Sequence, residues 1–135
     1  MGRNTWDSLP VKPLPNRDNY VLTSDLSALE GFKVKHPSEG IGNQIKCVIG
    51  GLKTFKHYIE EIDMFLISRI RGEYDCDVYF DKGLLDGFNL YHRLTLGKGS
   101  EDEFDVDVYL RDSELCILGR SLLESIFIKH RKGLL

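Results

Sequence analysis

Hydrophobic and polar positions along the 135 residues change period several times, and each change predicts an element. Residues 19–24 (Asn19-Tyr20-Val21-Leu22-Thr23-Ser24) are short and rich in β-formers, which predicts a strand. Phe32 and Val34 alternate with Lys33 and Lys35, as in a half-exposed strand. Residues 45–49 are a compact apolar run and predict a buried strand, and Leu52, Phe55, Ile59 and Ile62 then recur at helical spacing, predicting a helix over 52–61. Residues 64–70 are almost wholly apolar, which predicts a central strand. Residues 87–96 predict a further strand, and a polar stretch at 97–103 reads as a hairpin connection. Phe104, Val106, Val108 and Leu110 alternate with Asp105, Asp107 and Tyr109, the pattern of an antiparallel strand buried on one face.

Turn chemistry fills the gaps. Asn4 or Thr5 caps a short N-terminal helix whose first turn holds Asp7, and Pro10, Pro13 and Pro15 then make 10–18 a loop. Residues 36–43 read as a loop, and Glu73 to Asp77 as an acidic turn. Near the C-terminus, Ser121 and Glu124 have capping-box spacing, and Leu122, Leu123, Ile126 and Phe127 form an apolar stripe. The basic run Lys129-His130-Arg131-Lys132 and Gly133 then close an amphipathic helix. The fold class is α/β, with a helix between parallel-type strands and a β-hairpin near the end.

Composition narrows the function classes. The length suits one domain with one core. A net charge of −3 gives no bulk electrostatic case for nucleic acid or an anionic membrane. No apolar stretch approaches the roughly 20 residues of a membrane span, and no signal-peptide core stands at the N-terminus, so a cytoplasmic protein is expected. Cys47, Cys76 and Cys116 are widely spaced beside apolar runs and predict buried thiols in a reducing compartment. No metal-ligand spacing is present. His57 and His92 are expected at the surface.

The candidate site centres on Val48-Ile49-Gly50-Gly51-Leu52, where an apolar run ends in two glycines and a helix begins. Without a Cβ the backbone there can approach a ligand closely, although strand–helix packing selects glycine as well.

One ordered series decides between those readings. Gly2-Arg3-Asn4-Thr5-Trp6, then Lys12-Pro13-Leu14-Pro15 and Tyr20-Val21-Leu22-Thr23-Ser24, then Val48-Ile49-Gly50-Gly51 with Phe55 four residues on, then Asp63-Met64-Phe65-Leu66-Ile67-Ser68 and the Asp75–Asp77 turn closely resemble the dihydrofolate reductase family. The resemblance runs from Met1 to about Arg111. It implies a dihydrofolate-reductase-like mixed sheet over residues 1–111 with flanking helices, and a C-terminal extension over 112–135 with the amphipathic helix. It implies NADPH as cofactor, folate as small-molecule substrate, and reduction of dihydrofolate to tetrahydrofolate. The residues implied at the cofactor are Gly2, Arg3, Asn4, Thr5, Leu22, Thr23, Ser24, Gly50, Gly51, Leu52 and Phe55. At the substrate they are Arg17, Ile49 and Ser68. The peptide linking the glycine pair is expected to be cis.

Departures accompany the match. Asp25 stands where a basic residue beside the 2′-phosphate is expected, Phe55 replaces tyrosine, Ser68 threonine, and Val78 threonine. The family chain carries about 40 further residues at its start, with the first strand, the active-site loop, the helix bearing the catalytic carboxylate and the next strand. No residue here is therefore nominated as catalytic. The expected sheet is incomplete, lacking two interior strands, and a protein partner or second chain is expected to complete it. The alternative is a catalytically inactive descendant serving as a structural or interaction subunit.

Overall fold

The computed structural model describes residues 1–25, 27, 34–35 and 46–111, and the chain divides into two units, residues 1–60 and 61–135. Expectations for residues 28–33, 36–45 and 112–135, the C-terminal helix and Cys116 among them, lie outside the described residues.

In the first unit, α1 spans Arg3–Ser8. The amide of Trp6 donates to the Gly2 carbonyl at 3.1 Å, so the first helical bond starts at Gly2, earlier than the expected cap at Asn4 or Thr5. No side chain caps it, and Asp7 lies outside the first turn. Asp7 instead pairs one turn back with Arg3, Nε to Oδ2 at 2.8 Å. At the other end, Lys12 Nζ donates to the Trp6 and Asp7 carbonyls at 3.3 and 2.9 Å, satisfying acceptors that a helix end leaves open. Trp6 is only 2% exposed and anchors the helix.

The expected strand over 19–24 is shorter. β1 is Asn19–Tyr20, paired in parallel with β2, Val34–Lys35. Beyond Tyr20 the chain changes partner: Leu22 forms a parallel bridge with Gly2, its amide donating to the Met1 carbonyl at 2.8 Å. Residues 46–49 do not form the expected buried strand. They are irregular, with Lys46 and Cys47 exposed and Ile49 42% exposed. The backbone bond that fixes this region falls at Gly50, one residue past the apolar run. The predicted helix over 52–61 is two pieces, α2 (Leu52–His57) and a tighter 3₁₀ turn at Ile59–Glu61.

In the second unit, β3 (Met64–Ile70), β4 (Phe88–Leu96) and β5 (Phe104–Arg111) form an antiparallel sheet in the order β3-β5-β4. The hairpin connection over 97–103 stands as expected, closed by the Ser100 amide on the Gly97 carbonyl at 2.9 Å. The apolar β3 is an edge strand in this sheet, not a central one, with Leu66 58% and Ile70 68% exposed. A continuous apolar run states that both faces are apolar, not that both are covered. The middle place goes to β5, whose alternation puts Val108 and Leu110 on one face against Met64. On β4 the register slips between Leu90 and His92, a β-bulge that turns Arg93 onto the face of Asp107. Phe65, Phe80 and Phe88 meet edge to face, and the Arg111 guanidinium lies 4.5 Å from the Phe88 ring centroid.

Asp107 is fully buried in the middle of this sheet. Arg93 approaches it in two places, Nε to Oδ1 at 2.5 Å and a terminal nitrogen to Oδ2 at 3.0 Å, and Arg69 Nε bonds Oδ2 from β3. Both arginine side chains are about half exposed, so the carboxylate is covered by its own partners. Cys47 and Cys76 are exposed, against the expectation of buried thiols, because neither sits in a strand. Among the described residues no helix is long and apolar enough to cross a membrane.

The hydrogen bonds from Arg93, joined by those from Arg69, hold the Asp107 carboxyl at a pKa of about 2, below its ordinary 3.8. The folded chain thus binds this proton less readily than the unfolded one. Its stabilisation is complete above pH 3.8 and is lost as pH falls toward 2. Asp107→Asn is expected to lower Tm by several degrees at neutral pH and to flatten the stability-versus-pH curve between those values, as measured by thermal unfolding across pH.

Candidate functional site

The site belongs to the first unit and begins with a backbone contact. The Gly2 amide donates to the Gly50 carbonyl at 2.8 Å, bringing the start of α1 against the glycine pair. The close approach requires glycine at position 2: a Cβ there would stand 2.8 Å from Thr54 Oγ1, closer than real Cβ atoms come. Gly50 has φ +119°, a region that other residues rarely adopt, and its peptide to Gly51 is cis, as expected.

Gly51 opens α2. Its carbonyl accepts from the Thr54 and Phe55 amides at 2.9 and 3.1 Å. Gly51 is exposed, and a Cβ built on it would meet only Thr5 Oγ1, at 3.8 Å. A Cβ on Gly50 would meet the same hydroxyl at 3.5 Å and the Phe55 ring at 3.8 Å. Gly2, Thr5, Gly50, Gly51 and Phe55 are therefore gathered into one small cradle, with Leu52 as the first residue of its second helix. Leu22 joins through its bridge to Gly2. The cradle has bare backbone on one side, a hydroxyl in the middle and an aromatic ring behind.

The other expected residues stand differently. Asn4 is exposed on α1, and Arg3 is engaged by Asp7. Thr23 turns back on Asp25, its hydroxyl accepting from the Asp25 amide at 3.1 Å, and Ser24 is exposed. Arg17 is exposed and donates from Nε to the Pro15 carbonyl at 3.0 Å. Ile49 leads into the glycine pair with its side chain partly open to solvent. Ser68 is exposed on β3, opposite Val106, and belongs to the second unit. Among the described residues no group of acidic, histidine or cysteine side chains is arranged to hold a metal ion.

Two supporting residues escaped the sequence reading. Thr54 is 4% exposed and sets how near α1 comes to α2; its only signal was a small polar residue on the inner side of the 52–61 pattern. Asn19 is 2% exposed, and its side chain exchanges hydrogen bonds with Leu14 at 3.0 and 2.9 Å while also donating to the Arg17 carbonyl at 3.1 Å. It organises the loop that carries Arg17. An asparagine directly after a proline-rich loop was the available signal.

Comparison with known proteins gives the same direction. A family model described as dihydrofolate reductase matches residues 1–112. The dihydrofolate reductase of Ureaplasma parvum serovar 3 is 34% identical over 96 residues, which is 67% of this chain and 61% of that protein. Those of Staphylococcus aureus strain Mu50 and of Haemophilus influenzae are 41% and 35% identical over 85 residues, 59% of this chain and 52% of theirs. The chain thus spans between about half and three fifths of the length of these relatives.

The contact between Gly2 and Thr54 is testable by unfolding. Gly2→Ala is expected to destabilise the first unit by about 1–3 kcal/mol, the cost of overpacking a tight contact. Adding Thr54→Ala removes the opposing oxygen and should recover part of that loss in urea denaturation. Gly2→Ala unfolding at the wild-type midpoint would show that the approach imposes no constraint.

Proposed function

The chain belongs to the dihydrofolate reductase family, and from that premise we propose that it works in the NADPH-dependent reduction of dihydrofolate to tetrahydrofolate. The observation that carries the reading is the cradle at Gly50-Gly51, which is bare where a planar or charged ligand must come close. Its residue types suit NADPH. Gly51 leaves room for approach, Thr5 offers a hydroxyl donor, Phe55 offers a ring face, and Arg3 offers a guanidinium to a phosphate in competition with Asp7. Gly2 lets the start of α1 sit against the pair.

NADPH when bound supplies the hydride; the chain's own residues hold and orient it. Arg17, on the loop fixed by Asn19, is the group for a folate carboxylate, because guanidinium and carboxylate pair in bidentate fashion. Ile49 is proposed at the pteridine, and Ser68 as the hydroxyl supporting the proton-donating acid. Thr23 and Ser24 are proposed for the adenosine 2′-phosphate, with Leu22 and Asn4 beside them.

Proton delivery to the substrate requires a carboxylic acid. No described carboxylate is seen at the cradle: Asp7 is paired with Arg3, and Asp25 lies in the Thr23 turn. We assign the acid to the part of the relatives' length that this chain does not span, carried by the same or another polypeptide, and place the assembled enzyme in the cytoplasm. An inactive structural subunit remains the second reading, favoured by the exposed apolar residues of β3.

The test uses Trp6, the single tryptophan, as the reporter. NADPH is expected to quench its emission and to show energy transfer to the reduced nicotinamide. Gly51→Val is expected to weaken binding by about tenfold or more, roughly 1.4 kcal/mol. Arg3→Gln should weaken it less and reduce its salt dependence. A folded chain that gives no quenching overturns the cofactor reading. Dihydrofolate-dependent oxidation of NADPH is then expected only when the acid-bearing segment is present, and turnover by these 135 residues alone would overturn that assignment.

A further inference from the structure

The second unit carries a cleft that has no part in the proposed reaction. Its volume is about 410 Å³, and it is lined by Ile70, Arg71 and Tyr74 on one side and by residues 100–104 on the other. Ile70 and Phe104, register partners on β3 and β5, supply its apolar floor. Each wall is held by bonds of its own. The Tyr74 hydroxyl donates to the Arg71 carbonyl at 2.8 Å, and the Tyr74 side chain folds back over Gly72, where a Cβ would stand 3.2 Å from that hydroxyl. In the turn, the Ser100 hydroxyl donates to the Gly97 carbonyl at 2.7 Å and the Gly99 amide to Glu103 Oε2 at 2.9 Å. Glu103 Oε1 pairs with Arg71 at 2.5 Å and ties the two walls together. The cleft is therefore shaped by the chain itself, as a pre-formed small-molecule site must be.

We propose that this cleft binds a small organic cation, an ammonium group carried on a short apolar body. The walls select the body. Ile70 is 68% and Tyr74 64% exposed, and Phe104 is half-buried, so apolar surface lies bare inside a shaped cleft and gains by covering. Charge selects the sign. Arg71 and Glu103 neutralise each other, whereas Glu101 and Asp102 are exposed and have no ion-pair partner among the described residues. The charge left over at the cleft is thus negative, and the Tyr74 ring adds a face that attracts a cation. An anion would meet two unpaired carboxylates, and a bare metal ion does not suit the cleft, because among the described residues no acidic side chains are grouped to hold one. Size selects a compact ligand over a peptide, since 410 Å³ lies toward the small end of ligand sites. The assignment is independent of the cofactor reading: none of the lining residues is used there.

The test titrates the full chain with phenethylammonium, and with phenethyl alcohol as its uncharged counterpart, while backbone amide resonances are followed by nuclear magnetic resonance. Amides of Arg71–Tyr74 and Gly99–Phe104 are expected to shift saturably with the amine, at a dissociation constant of about a millimolar or below for so few heavy atoms. The alcohol is expected to bind at least about fivefold more weakly, the contribution of two exposed charge pairs. Glu101→Gln with Asp102→Asn, both at exposed positions, should bring amine and alcohol within about twofold of each other while the amides of Val106–Leu110 keep their wild-type positions. Tyr74→Ser, which removes the ring, should weaken both probes. No saturable shift at these amides, shifts confined to other residues, or an alcohol that binds as well as the amine overturns the proposal. So does a preference for the amine that survives the double substitution, or binding that Tyr74→Ser leaves unchanged.

Discussion

The 2.8 Å hydrogen bond from the Gly2 amide to the Gly50 carbonyl is the contact on which the first unit depends. It joins two segments nearly fifty residues apart in sequence, so its formation closes most of that unit into one loop. Everything at the cradle follows from it. Gly2 must lack a Cβ because Thr54 is already in place, α1 must begin at Arg3, and Thr5 is thereby carried to the side of Gly50 and Gly51. Leu22 is tied in on the opposite side of Gly2. The cradle is thus made of backbone and small side chains, with the Phe55 ring beside Gly50.

The second unit is organised on a different principle. Its middle strand carries a carboxylate on one face and valine and leucine on the other. The carboxylate is tolerated because guanidinium groups reach it from both neighbouring strands. Those arginines bring their charge from the solvent side and their apolar stems along the sheet, so Asp107 is enclosed without a desolvated, unpaired charge. The bulge on β4 is part of the arrangement, since without the extra residue Arg93 would face the other way.

What could be read from the sequence divides along physical lines. Turn chemistry and strict alternation were legible: residues 97–103, β4 and β5 stand within a residue or so of expectation, because Gly97 and an alternating run admit few other structures. The glycine pair was legible as a place of close approach through its series of accompanying motifs. Burial was not. Residues 45–49 and 64–70 read as interior because they are apolar, yet Ile49, Leu66 and Ile70 are exposed. Composition reports what a strand tolerates on its faces, while its neighbours decide what is covered. Thr54 and Asn19 were invisible for a related reason: each acts by touching backbone that only the folded chain brings near.

The Asn19 side chain carries a consequence of its own. By bonding both polar groups of Leu14 and the Arg17 carbonyl, it acts as an extra strip of backbone, giving the proline-rich loop partners that prolines cannot provide through their own nitrogens. The order of that loop is therefore intrinsic to the chain and does not wait for a ligand, so a carboxylate arriving at Arg17 would have only the side chain to immobilise, not the loop. Sequence drift at the exposed positions Val11 and Pro15 is then structurally inexpensive, whereas Asn16, at φ 58°, is held to the few residue types that accept a left-handed backbone, and replacing Asn19 with a residue lacking both a donor and an acceptor would release the whole turn. A single amide side chain thus separates the loop's geometry from its surface.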